Sequence, residues 1–270
     1  MSIIEALQFD FFQHALAAGL LASILCGVIG SLVVVNRLVF LAGGVAHAAY
    51  GGVGLAVILG LPILPVTSCF AVFAAMIMAM VTLKVRERAD TVIGVIWAAG
   101  MAFGVVLLDL APGYNVDLMS YLFGSIMAVA TGDLWLMGIL SAAVPLVVLV
   151  FYRGLSAMSF DEDFARARGV PVNALYYLLI GMVALCVVTL IRVAGLILVI
   201  AMLTIPPFIA ERRARSLGRM MIASTLLGAM FCLAGLWLAF RFDLTSGAAI
   251  IAVSSVTFFL SLAIPQRSEN

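Results

Sequence analysis

The sequence predicts an all-α polytopic membrane protein. Three observations carry that prediction. Hydrophobic residues make up 66% of the 270 and charged residues only 10%; the mean hydropathy is +1.28; and the apolar residues come in runs of membrane-crossing length. A soluble domain carries roughly 25% charged residues, so this chain cannot cover a water-facing surface. A net charge of +1 gives no electrostatic footprint for nucleic acid, and the lipid bilayer is the expected surroundings.

A bilayer core takes about 20 apolar residues per helix. Nine runs meet that measure, at 15–35, 39–60, 62–83, 91–110, 133–152, 172–191, 194–210, 219–240 and 246–264. The expected count is therefore nine, within a range of eight to ten, in one transmembrane domain covering 1–270. A further apolar stretch, 116–131, is short and bracketed by "APGYN" and "TGD". It reads as a re-entrant or surface helix. The first residues carry Glu5 and Asp10 but no Lys or Arg, which argues for a retained first span rather than a cleaved signal.

Positive charge concentrates on the cytoplasmic side of membrane proteins. With the N-terminus outside and the C-terminus cytoplasmic, Arg37, Lys84, Arg86, Arg88, Arg153, Arg166, Arg168, Arg212, Arg213, Arg215, Arg219 and Arg267 all fall inside. Only Arg192 and Arg241 fall outside. An extra crossing at 116–131 reverses the later loops and destroys that bias.

Several function classes lose support. Proton-coupled carriers place ionisable groups at membrane depth, whereas every Asp and Glu here lies in a loop or near a span end. A P-loop requires G-x-x-x-x-G-K-[ST]. The single lysine, Lys84 in "TLKVRER", has no such glycines before it, so any ATP-driven function needs a separate ATPase. Cys26, Cys69, Cys186 and Cys232 form no C-x-x-C pair, which removes a zinc or disulfide framework. An intramembrane protease needs a nucleophile beside its base, and none accompanies His47.

The loop "YRGLSAMSFDEDFARARGVPVN" after the fifth span is dense in helix signals. Ser159 and Glu162 match a capping box. Asp161, Glu162 and Asp163 suit the positive end of a helix, and Arg166 and Arg168 its negative end. Gly169 is placed to stop it, with Pro171 following. A short helix over 159–169 is predicted, with Phe160 and Phe164 at i,i+4 spacing on one face. Such a helix either lies on lipid or plugs the groove of a partner that pushes on the bundle.

Collinear segments resemble the membrane permeases of metal-type ABC importers, which carry zinc, manganese or iron. They are "DFFQHALAAGLLASILCGVIGSLVVVNRLVFLAGGVAHAAYGGVGLA", "RADTVIGVIWAAGMAFGV", "DLMSYLFGSIMAV", "SFDEDFARARGVPV" and "VAGLILVIAMLTIPPFIAERRARSLGRM". The resemblance implies a type II ABC importer-like permease in a bacterial or archaeal cell membrane, working as a homodimer. It also implies ATPase subunits below, which bind the ATP and Mg, and an extracytoplasmic metal-binding protein above. This chain then binds no cofactor and is not an enzyme. The coupling role falls on Phe160, Asp161, Glu162, Phe164, Ala165 and Gly169. The alternatives are a permease for another small substrate such as a metal chelate, or an ATP-independent carrier.

One departure stands out. The family commonly reads Gly-Asp-x-x-Ser-His in the second span; this chain has Ala42, Gly43 and Ala46, then His47. The histidine is kept and the carboxylate is not. Gly44, Ala48, Gly52, Ala56 and Gly60 recur at every fourth position, a small-residue ridge that admits a close helix. Gly43, His47 and Gly51 form the neighbouring ridge and are the candidate translocation path. The space beside them suits an ion, a water or a backbone. Neutral His47 offers one transient nitrogen ligand to a passing metal; a hydrogen bond across a helix interface is the structural reading. Pro206 and Pro207 read as a helix end or a hinge.

Overall fold

A computed structural model describes residues 9–85, 88–111, 124, 126 and 129–263. The chain folds into α1 (Asp10–Val35), α2 (Val39–Leu59), α3 (Ile63–Lys84), α4 (Ala89–Leu110), α5 (Thr131–Val150), α6 (Tyr152–Phe160), α7 (Glu162–Ala167), α8 (Val172–Ala194), α9 (Leu196–Glu211), α10 (Leu217–Phe242) and α11 (Ser246–Ala263). Eight of these are long and apolar enough to cross a membrane, and α9 is a shorter apolar helix. All nine expected runs are therefore helices. Of the stretch 116–131, most lies outside the described residues. Ile126 is buried in the bundle, and Gly124 abuts the backbone of Gly195.

The helices are apolar all round, so polarity does not decide which face packs inward. Side-chain size does. In a bilayer, helices associate where small residues let backbones approach. α1 buries Ala15, Ala18, Gly19, Ala22, Ser23, Gly27, Gly30 and Ser31 and sits at the centre, against α10, α9 and α5. A Cβ at Gly27 meets the Thr225 amide nitrogen at 2.6 Å, and one at Gly30 meets the Leu203 carbonyl oxygen at 2.6 Å. Ser31 and Ser224 share a buried hydroxyl contact of 3.3 Å between α1 and α10. The large residues Phe73, Trp135, Leu146 and Phe259 point outward.

α2 and α4 make the most extensive helix pair, and glycine makes it possible. A Cβ at Gly54 lies 2.5 Å from the Gly104 carbonyl oxygen; one at Gly104 lies 2.5 Å from the Tyr50 carbonyl; one at Gly100 lies 2.9 Å from the Ala48 Cα. The two backbones touch, which fixes the depth of every side chain on α2 against α4.

Two joints differ from expectation or sharpen it. α9 runs through Pro206 and Pro207, both buried, and ends at Glu211, so the prolines do not end the helix. A proline at 207 has no N–H for the Leu203 carbonyl, and that carbonyl and the Pro207 ring lie against Gly30. The missing Cβ there is what admits them. α8 passes to α9 through Gly195 alone, at φ +79°, a conformation open to glycine. Near it, Arg192 pairs with Asp133 at 3.1 Å, so one of the arginines assigned to the sparsely charged side is neutralised by α5.

Candidate functional site

His47 lies near the middle of α2, half-buried. Its ring stacks on Trp97 of α4, with centroids 4.2 Å apart and planes 17° apart. Its Nδ1 is buried and has no hydrogen-bond partner among the described residues. A buried polar atom without a partner costs about 1–3 kcal/mol, so the position is held open at a cost. Beside Gly43, a Cβ meets only Ile200 Cδ1, at 3.9 Å. Beside Gly51, the Gly100 carbonyl and the Phe70 ring both stand 2.8 Å away. Of the three residues on that ridge, Gly51 is thus closed off by backbone and the Phe70 ring, Gly43 is loosely packed against Ile200, and His47 presents the chemistry.

Below His47, at the end of the bundle rich in basic residues, lies a cavity of about 250 Å³. Asn36, Arg37, Phe40, Asp90, Glu162 and Tyr176 are among the residues around it. Phe40 also contacts Trp97, with centroids 5.9 Å apart. No group of three or more His, Cys, Asp or Glu side chains converges on a metal-sized site among the described residues. His47 is a single donor.

The predicted helix over 159–169 is two pieces. α6 ends at Phe160 and α7 begins at Glu162, with Asp161 extended between them at φ −151°, ψ 95°. Asp161 is the cap: its Oδ1 accepts from the Phe164 N–H at 2.8 Å. The Ser159 capping box does not form, because the Ser159 hydroxyl donates to the Leu155 carbonyl and accepts from Asn36 Nδ2, both at 2.8 Å. Phe160 and Phe164 therefore sit on different helices, yet both are exposed, at 68% and 53%. The far end is as expected. Gly169 adopts φ +79°, its N–H donates to Arg166, and the Val170 N–H donates to Ala165; this pattern closes a helix with glycine. Ala165 is buried. Arg168 lies 4.9 Å over the Phe164 ring, a cation–π contact.

Tethers tie α6 and α7 to the membrane helices. The Gly218 N–H at the start of α10 donates to the Tyr152 hydroxyl at 2.9 Å. Asn36, at the end of α1, donates to Ser159. Arg166 bridges Glu162 Oε1 at 2.8 Å and Asn173 Oδ1 at 2.6 Å, reaching the start of α8. These contacts tie α6 to α1 and α10, and α7 to α8. The sequence reading found the helix but missed Trp97, Asn36 and Tyr152, whose roles rest on partners distant in the chain.

A many-helix bundle with an imidazole at mid-span, and a capped, tethered helix at its basic end, suits a membrane permease. The chain belongs to the ABC 3 transport family, which it matches over residues 8–265. It is 45% identical over 262 residues to an uncharacterized membrane protein of Synechocystis sp., covering 97% of this chain and 93% of that protein. It is 32% identical over 262 residues to the manganese transport system membrane protein MntC of Listeria monocytogenes, again covering 97% and 93%. Among solved structures, PsaBC from Streptococcus pneumoniae in complex with Fab has a TM-score of 0.86 at 31% identity, over 97% of this chain and 95% of that one. An inward-facing putative metal-chelate type ABC transporter shares the fold at 16% identity, with a TM-score of 0.71 over 93% and 85%. The chain is a multi-pass membrane permease of the ABC type.

Proposed function

We propose that this chain is the permease of an ABC importer for a divalent transition metal, manganese before zinc or iron. It works as a homodimer in a bacterial cell membrane, with separate ATPase subunits binding ATP and Mg, and an extracytoplasmic protein delivering the ion. The basic end of the bundle, with the C-terminus, faces the cytoplasm. Phe160, Asp161, Glu162, Phe164, Ala165 and Gly169 form the coupling element that the ATPase pushes. The preference for manganese is supported by relatives named for manganese transport. A lone imidazole alone accepts zinc or iron as readily.

The observation that carries this reading is the unpartnered Nδ1 of His47, buried at mid-span in a chain otherwise without polar groups of that kind along α2. One nitrogen binds a divalent ion weakly, which suits a conduit that must release it. Replacing His47 with Ala in the full assembly should raise the manganese KM for uptake about tenfold, the lower range for loss of a metal-site interaction. ATPase copurification should stay at the wild-type level. An unchanged KM at limiting metal removes His47 from the path.

A further inference from the structure

We propose that Trp97 closes the His47 position against the cytoplasmic cavity and must swing aside before an ion can leave. This rests on the reading of His47 as a pathway residue. Phe40 and His47 stand seven residues apart on α2, a separation of about 10 Å along the helix. Trp97 bridges that interval: its ring lies 4.2 Å from His47 and 5.9 Å from Phe40. Phe40 is itself part of the wall of the 250 Å³ cavity. The Trp97 ring therefore stands between a side chain of the cavity wall and the imidazole. A hydrated cation does not cross an apolar constriction, which gates by excluding water.

The stacking geometry serves this role. Planes 17° apart cover a face of the imidazole and leave its edge, with the buried, unpartnered Nδ1, off the indole. Trp97 therefore orients the ligand without occupying its coordination site. Room for movement exists beside the pair: at Gly94, one turn before Trp97, a Cβ finds only Phe40 Cζ, at 3.9 Å. The backbones behind it are locked by the Gly54–Gly104 contact. Opening is thus a side-chain event on fixed helices or follows their movement as a pair.

The test is chemical access from the cytoplasmic side. Cys69, the exposed cysteine of the four, is replaced by Ala, the other three being buried. H47C is then introduced into the full assembly in inside-out vesicles and labelled with a membrane-impermeant methanethiosulfonate. With Trp97 present, labelling is slow. With W97A it accelerates by roughly ten- to a thousandfold, because an open state that is a minor population becomes permanent. W97F, which keeps a ring, stays close to the slow rate. Should W97A fail to assemble, W97T decides, since its smaller hydroxyl side chain neither spans the interval nor excludes water, and fast labelling is expected there too. Equal rates with and without the indole overturn the gate. The labelling needs no metal, so its failure, which strikes the gate and leaves His47 in the path, is distinct from an unchanged manganese KM in H47A, which strikes the pathway reading itself.

Discussion

Phe164→Glu strips the ATPase from the purified assembly. α7 is only six residues long and charged at Glu162, Asp163 and Arg166, yet Phe164 on it and Phe160 at the end of α6 are both largely exposed. Exposed aromatics on a polar helix have the character of interface anchors. Such an anchor is worth about 2 kcal/mol or more, so its loss weakens binding by roughly thirtyfold. Glutamate also adds a third acid beside Glu162 and Asp163, and removes the ring under Arg168. Copurification from mild detergent at matched permease levels reads the effect. ATPase retained at the wild-type ratio contradicts the coupling assignment of α7. The membrane bundle itself is untouched by the change, because the Phe164 side chain contributes nothing to its core.

Gly54→Val abolishes folded permease. A Cβ at this position lies 2.5 Å from the Gly104 carbonyl oxygen, 3.0 Å from its Cα and 3.1 Å from its carbonyl carbon. All three are backbone atoms, so no rotamer change relieves the clash. Overpacking a well-filled core costs about 1–3 kcal/mol where side chains can shift, and here α2 and α4 must separate instead. That separation also carries Trp97 away from His47. The control is Gly138→Ala on α5, where nothing lies within 4 Å; it leaves expression and monodispersity unchanged. A folded, monodisperse Gly54→Val protein contradicts the backbone contact.

The spans were legible because a bilayer imposes a length, and each run from 15–35 to 246–264 became a helix. Their packing was less so. Uniformly apolar helices carry no polar face to orient them, and only the four-residue glycine spacing of α2 pointed to a close neighbour. It did so correctly for Gly52, which meets α3, and for Gly44, which meets Ile93 of α4. The end of α7 at Gly169 followed from local backbone rules. Its start did not, because Ser159 bonds to Asn36, 123 residues away, and local capping statistics do not see such a competitor. His47 drew notice as a lone polar residue in an apolar run. Trp97 did not, since a tryptophan in a span ordinarily packs or meets lipid, and its stack on His47 exists only in three dimensions.

The most direct test of the central claim is manganese uptake into proteoliposomes containing this permease, its ATPase and its binding protein. Radiolabelled manganese should accumulate only with ATP inside the compartment that corresponds to the cytoplasm, and unlabelled zinc and iron should compete less well than manganese. Uptake that proceeds without ATP, or a full assembly that hydrolyses ATP yet accumulates none of the three metals, contradicts the account.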